Sequence, residues 1–566
     1  MAIFLPGAEL PDNLTADETR VVEDARTGHV IIFDPPEDAE DPASWRMVRA
    51  AVLFALLLHH PRQPLAPKGL CLQHACIIGS LDFSHVRLAV PLQLESCLFL
   101  EKVVFADASC PALSFPHCTF KNGFDAPRSR IDNTLNLIHT TIIGQLNLEN
   151  TFIRVDLDLE EATLSLSQDP LDVPLPVLNA NSTQIGSSLH LTKGFQADGT
   201  VSLSGARIGG QLSCRAGIFR RPNGIALNAQ SIEVSGGMFL DGGFVADGRV
   251  VLAGAKIGGQ LGCRGGTFRN PGGAALNAEN IETGESMFLD GGFTAEGAVV
   301  LDSARISGQL DLRGGIFEDE LVLAHAVARK LVDDKKSWSK QGLLFLDGFK
   351  YEELAYDSLL GWKERREWLE RQKDFVPGPY EQLAKVYRAR GEARAARKVL
   401  ITKYTRQIRS LNLSPVRLGP VKVSAVWRRR LSPVLFFRRS LGVLVGYGHE
   451  PWRAGGFLAL LILLAWGTFT FAAGEKRMAP VEEPHNSDAF PGRESARADE
   501  CTFGMAYPCF HGFVYAVDVA VPFVDLEQRS FWAPVGGYRW VLWGVVVAGW
   551  LLVSAVAVGL TLLFRE

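Results

Sequence analysis

Apolar residues return along the middle of the chain at fixed intervals, with polar or glycine residues between them. Val103, Ala108, Leu113 and Cys118 recur every five residues, and Phe105, Cys110, Phe115 and Phe120 form a second five-residue ladder offset by two. Further on, Ile208-Gly209-Gly210-Gln211-Leu212 returns as Ile257-Gly258-Gly259-Gln260-Leu261 and again as Ile306-Ser307-Gly308-Gln309-Leu310, each 49 residues on. Phe195, Phe244 and Phe293 keep that interval, as do Phe219, Phe268 and Phe317. Val234-Ser235-Gly236-Gly237-Met238 lies 26 residues after one such string and 23 before the next, so the elementary unit is 23–26 residues. That is the length of one turn of a β-solenoid, in which short strands stack coil on coil around a dry interior. Helical repeats, at about 33 residues or more, fit poorly. Eleven or twelve coils at about 4.8 Å spacing would make a rod on the order of 55 Å long.

The flanks read differently. Residues 1–65 are an acidic, proline-punctuated tail and a capping helix, with Asp41-Pro42 as N-cap and first-turn proline. Trp45, Val48, Val52, Ala55 and Leu56 supply its apolar face. The solenoid occupies 66–318; beyond Phe317 the periodicity stops and a helical coupling region is expected over 319–453. Residues 454–566 form a membrane module. Ala454–Ala473 is 20 residues without a charge and Trp540–Phe564 is 25, both long enough to span a bilayer. Trp452, Trp540 and Trp543 sit near their ends, where indole rings favour the interface. Between them, in the loop 474–539, Phe513–Val524 is too short to span and reads as a re-entrant or interfacial helix broken at Pro522.

Charge sharpens this picture. The chain carries 58 Lys+Arg against 62 Asp+Glu, which excludes a globally basic nucleic-acid binder. The near-neutral sum conceals an asymmetry: residues 401–453 hold eleven Lys/Arg and one acid, whereas 474–539 hold six Lys/Arg and ten acids. The positive-inside rule then places the solenoid and both termini in the cytoplasm and the loop outside, in an inner or plasma membrane. No basic segment followed by a long apolar run opens the chain, so no secretory signal is expected. Arg428, Arg429, Arg430, Arg438 and Arg439 form a basic collar for anionic lipid rather than nucleic acid. Cys501 and Cys509 are a candidate disulfide on the oxidising side. Asp518 and Asp525 are candidate pore or interface acids.

Candidate chemistry is sparse. Asp156, Asp158 and Glu160 alternate with Val155, Leu157 and Leu159, which sets the acids in a row on the outer face of one strand. A carboxylate pair for glycosidic chemistry would also need a cleft and a second wall. Cys71, Cys76, Cys110, Cys118, Cys214 and Cys263 fall at apolar or repeat positions and read as small core residues. The twelve His are scattered and no Cys pair has CxxC spacing, so no catalytic, cofactor or metal residue is assigned.

Four resemblances add expectations. The five-residue ladders over about 80–123 resemble the pentapeptide-repeat pattern, which implies a right-handed β-solenoid with the central and i−2 side chains pointing inward. Pro379-Tyr380-Glu381-Gln382-Leu383-Ala384-Lys385-Val386-Tyr387-Arg388 with Ala393, Ala396, Val399 and Leu400 is similar to one tetratricopeptide-type hairpin, expected to dock on the end of the solenoid or to pair with a helix in 351–373. The order span, short apolar helix, span resembles two-helix ion channels, although Val521-Pro522-Phe523-Val524-Asp525 stands where a filter would. Through its IGGQL strings, Met287–Phe293, the PYEQLAKVYR hairpin and Val517–Leu526, most of the chain resembles bacterial membrane proteins labelled membrane-associated oxidoreductases. That label implies redox chemistry, for which the sequence offers no residues. The expectation is a mainly β protein, a solenoid followed by helices and two spans. It acts as a non-enzymatic scaffold or sensor with the lipid bilayer and a protein on the solenoid as partners, and with homo-oligomer formation through the membrane module left open. A channel-like module with the short re-entrant helix 513–524 is one alternative, and a membrane-associated oxidoreductase, by the resemblance alone, is the other.

Overall fold

Short alternating segments close into a parallel β-solenoid of about twelve turns. The computed structural model describes residues 10–38, 41–58, 65–166, 175–340, 343–355, 361–410, 416–418, 421–423, 446, 450, 452–481 and 509–565. The chain divides into two compact units, Met1–Gly391 and Glu392–Glu566.

In the first unit the strands are mostly two or three residues long, and each pairs in parallel with its counterparts one coil before and after, building sheets of 22 and 20 strands. Register is fixed by the inward residue of each strand. Leu113, Leu135, Leu157, Leu189, Leu212, Met238, Leu261, Met287 and Leu310 stack rung on rung. All nine are fully buried, each contributing about 1.5–3 kcal/mol of burial free energy. Phe195, Phe219, Phe244, Phe268, Phe293 and Phe317 make a second column, with ring centroids 5.2–5.5 Å apart. Buried hydroxyls are satisfied within the stack: Thr140, Thr151 and Thr183 donate to the carbonyls of Phe115, Ala126 and Leu148. The glycine that follows Ile185, Ile208 and Ile257 has a steric cause. A Cβ on Gly258 would stand 2.2 Å from the Ser235 carbonyl oxygen of the preceding coil, so the corner admits no side chain.

Both ends of the solenoid differ from expectation. Asp41 does cap Pro42–Ser44 through the Ala43 amide, but that is a single 3₁₀ turn. Arg46–Arg49 then runs as a strand paired with Ala75–Ile78, and the helix expected from Asp41 begins only at Ala50. The tail contains helix α1 (Ala16–Thr27), opened by a Thr15–Glu18 capping box, ahead of α2 (Ala50–Leu57). Glu18 is buried and takes Arg49 in a two-pronged pair at 2.6 and 2.7 Å, which ties α1 to the strand. At the other end the solenoid does not stop at 318. Strands continue to Lys350–Leu354, and Leu331 and Leu354 extend the inward column.

Two helices close that end, α3 (Trp362–Glu370) and α4 (Gly378–Ala389). Arg365 of α3 is buried and grips Asp333, also buried, at 2.6 and 2.8 Å, while Trp338 Nε1 donates to the same carboxylate at 2.9 Å. Helix α4 rests on the last strand, where Gln382 Nε2 donates to the Tyr351 carbonyl. Its Tyr380, Leu383 and Tyr387 are buried.

The second unit holds α5 (Ala393–Ser410), a hairpin of Val416–Leu418 with Val421–Val423, and α6 (Trp452–Gly474). They are followed by α7 (Gly512–Ala520), the one-turn α8 (Gln528–Phe531) and α9 (Tyr538–Arg565). Helices α6 and α9 are long and apolar enough to cross a membrane. Met478–Pro480 and Trp532–Pro534 pair antiparallel.

Candidate functional site

The outer faces of the solenoid are knitted by ion pairs between coils. Arg215 bonds Asp241 at 2.9 Å with its guanidinium 4.2 Å from the centroid of Phe239, and Arg264 repeats this with Asp290 and Phe288 two coils on. The three acids do not share one strand: the strand here is only Leu157–Asp158, with Asp156 just before it and Glu160 in the turn after it, all half-buried, and the neighbouring coil engages Asp156 and Glu160. Asp156 accepts from the Ser188 amide at 2.8 Å. Burial pushes Glu160 up, but the Lys193 ammonium at 2.6 Å and the Thr192 hydroxyl outweigh it and hold the carboxyl below its ordinary range. Burial raises the Asp158 carboxyl, and Glu160 and Asp156 add to the effect. The row is thus a set of contacts between coils.

Besides a cleft of about 570 Å³ between Arg49–Phe54 and Ile78–Asp82, two clefts open on the coils of this unit. One, of about 720 Å³, lies beneath the loop Arg221–Ile225 that bulges from strand Ile218–Asn228, and Asn181, Thr200 and Ser202 contribute polar groups to it. The other, of about 590 Å³, runs across four coils past Glu233, Lys256, Glu282 and Arg305, over a floor that includes Gly258 and Gly284.

Cys76, Cys110, Cys118, Cys214 and Cys263 are buried, as is Cys97. Burial pushes the Cys76 thiol up to about 11 and Cys110 to about 12, the opposite of what a nucleophilic thiol needs. Cys71 departs from the core assignment: it faces outward, half-exposed, with its Sγ 3.3 Å from Gln93 Oε1. Among the described residues no group of three His, Cys, Asp or Glu side chains is placed to hold a metal ion.

In the second unit α7 is wedged between the two long helices. Tyr515, Ala516, Val519 and Ala520 pack with Ala465, Phe469 and Ala472 of α6 and Val545 of α9. Gly549 permits the contact on the α9 side, since a Cβ there would stand 2.0 Å from the Ala520 carbonyl oxygen. Gly549 is eleven residues into α9, about 16 Å along its axis. The chain returns from Ala520 with Phe523, Val524 and Leu526 exposed.

The two candidate acids have different surroundings. Asp518 is buried and its carboxylate accepts from the amides of Leu526 at 3.1 Å and Arg529 at 2.7 Å, so it fastens the return segment to α7. Asp525 is exposed and accepts from the Glu527 amide. The bond to the Leu526 amide sets the buried Asp518 carboxylate beside the Asp525–Leu526 peptide, while the Asp525 side chain is exposed. Cys509 is disulfide-bonded, and Cys501 lies outside the described residues. Gln528 braces the start of α7, donating to the Cys509 carbonyl and accepting from the His511 amide.

The collar residues Arg428, Arg429, Arg430, Arg438 and Arg439 lie outside the described residues. A basic element that the sequence reading passed over is described: α5 has six Lys/Arg and no acid, and is clamped to the start of α6. Buried Glu450 takes Lys398 at 2.9 Å and Arg453 at 2.6 Å, while the Arg397 guanidinium lies 5.2 Å from the centroid of Trp452. A count of charges along 393–410, apart from the apolar pattern, would have found it. No family model, curated protein or solved structure matches this chain.

Proposed function

We propose that the chain is a two-span protein of an inner or plasma membrane that presents its solenoid to the cytoplasm as a scaffold or sensor for a protein partner. The observation that carries this reading is the cleft under Arg221–Ile225. The bulge interrupts the register of the stack, as strand Thr267–Asn277 does again between Arg269 and Ala274, and it sets backbone and side-chain polar groups beside Asn181, Thr200 and Ser202. Extended faces repeated coil after coil suit recognition of another chain. A photo-crosslinking side chain at Asn223, in cells, is expected to give one discrete crosslinked species, and the same probe at Arg154, beside a strand of the other sheet, is expected to give none. Absence of a species at Asn223, or identical products from both positions, would set the reading aside.

The placement of α7 supports a channel-like module as a second reading, because a short helix lodged between two spans has its C-terminal end against Gly549 and the following Phe523 ring 6.0 Å from that of Trp550. Flux in liposomes that responds to Asp525→Asn would favour it. Asp518→Ala is a poor probe for that purpose, since it also releases the return segment.

A further inference from the structure

We propose that the junction of α5 and α6 is a binding site for the phosphate of an anionic lipid headgroup. The inference rests on the membrane reading of α6. Arg397, Lys398 and Arg453 gather about Glu450 and Trp452 at the first turn of that helix, an excess of two positive charges, and Arg394 lies one turn earlier on the same face of α5. Glu450 is almost wholly buried and ion-paired with Lys398 and Arg453, so it acts as the pin that assembles the cations rather than as a competitor at the surface. The side chains of Lys398 and Arg453 remain 38% and 40% exposed, and Arg394 is on the surface.

Height decides the source of the ligand. Trp452, which Arg397 stacks on, is 56% exposed and stands two residues before the uncharged stretch Ala454–Ala473. An indole at that place sits at headgroup level, and the cations around it are held at the same depth. Guanidinium groups bind phosphate through paired N–H donors, which a choline headgroup partly screens and a glycerol headgroup does not. The clamp would then report the lipid charge to α5.

The test uses the full chain in mixed micelles of phosphatidylglycerol and phosphatidylcholine, with retained lipid counted by mass spectrometry. The wild type is expected to retain the anionic lipid at least tenfold over the neutral one. Arg394→Gln/Arg397→Gln/Arg453→Gln is expected to lose that preference, and the corresponding Lys variant to keep most of it. Arg394→Gln alone, a surface change, is expected to lower the preference severalfold and keeps the test sharp should the triple variant aggregate. Equal retention by wild type, an unchanged preference in both Gln variants, or full competition by inorganic phosphate would overturn the proposal. Flotation with purely neutral vesicles separates the two readings: flotation without lipid preference overturns the headgroup site alone, and failure to float overturns both.

Discussion

Asp333→Asn tests how the solenoid is closed at its C-terminal end. The wild-type carboxylate receives two hydrogen bonds from Arg365 and one from Trp338, and both charged groups are removed from water. Asparagine keeps one oxygen and places an amide donor against a guanidinium donor. Breaking a buried pair in this way typically costs about 3–5 kcal/mol, because the surviving charge stays buried. In a solenoid each coil leans only on its neighbours, so the loss should stay local. Amide hydrogen exchange on the full chain reads it directly: 3 kcal/mol corresponds to a fall of roughly 150-fold in protection. That fall is expected in 344–354 and 362–370, with the coils around Leu212–Leu261 unchanged. Replacing both partners, Asp333→Leu/Arg365→Met, should recover much of the loss. A fall of less than about fivefold, or a fall spread evenly along the solenoid, would refute the reasoning.

The N-terminal end should respond to acid. Arg49 holds the Glu18 carboxyl at about 2 against an ordinary 4.5. A depressed carboxyl stabilises fully above its unfolded value and loses that contribution as pH falls through 4.5 towards 2. The full shift is worth about 3 kcal/mol, discounted to about 2 because Arg49 is partly in water. Proteolysis of α1 should therefore rise below pH 4.5, and Glu18→Gln should show the acid behaviour at neutral pH. Unchanged cleavage of the variant would contradict this. In the second unit, Gly549→Ala should lower the unfolding temperature of the detergent-solubilised chain by several degrees. Gly544→Ala on the same helix, where a Cβ meets nothing within 4 Å, should not; equal effects would deny the α7–α9 contact. Asp518→Asn should raise hydrogen exchange at Leu526 and Arg529, and Asp525→Asn should leave both amides as they are.

The repeat was legible because of an inward Leu, Met or Phe from coil to coil and, at Gly186, Gly209, Gly258 and Gly284, a corner with no room for a Cβ. Where a coil drops the glycine corner, the pattern fades while the strand persists. Leu331 and Leu354 continue the inward column, yet Arg329-Lys330 and Glu352-Glu353 stand where the Gly-rich string had been, and the coils past 318 were hidden. At the other end Trp45, Val48 and Val52 satisfy helical spacing, but Val48 points inward from a strand and only Val52 from a helix. The Thr15–Glu18 capping box was a readable signal for α1. In the second unit the two long apolar helices were plain from their length. The role of Asp518 was not, because its partners are backbone amides 8 and 11 residues away, and amides leave no mark on a sequence.

The topology bears most directly on the whole account. With a membrane-impermeant maleimide on intact cells, Val481→Cys, exposed just beyond α6, should be labelled at once. Lys121→Cys, exposed on the solenoid, should be labelled only after the cells are permeabilised. Immediate labelling of Lys121→Cys, with Val481→Cys protected or labelled equally, would contradict a cytoplasmic solenoid held by two spans.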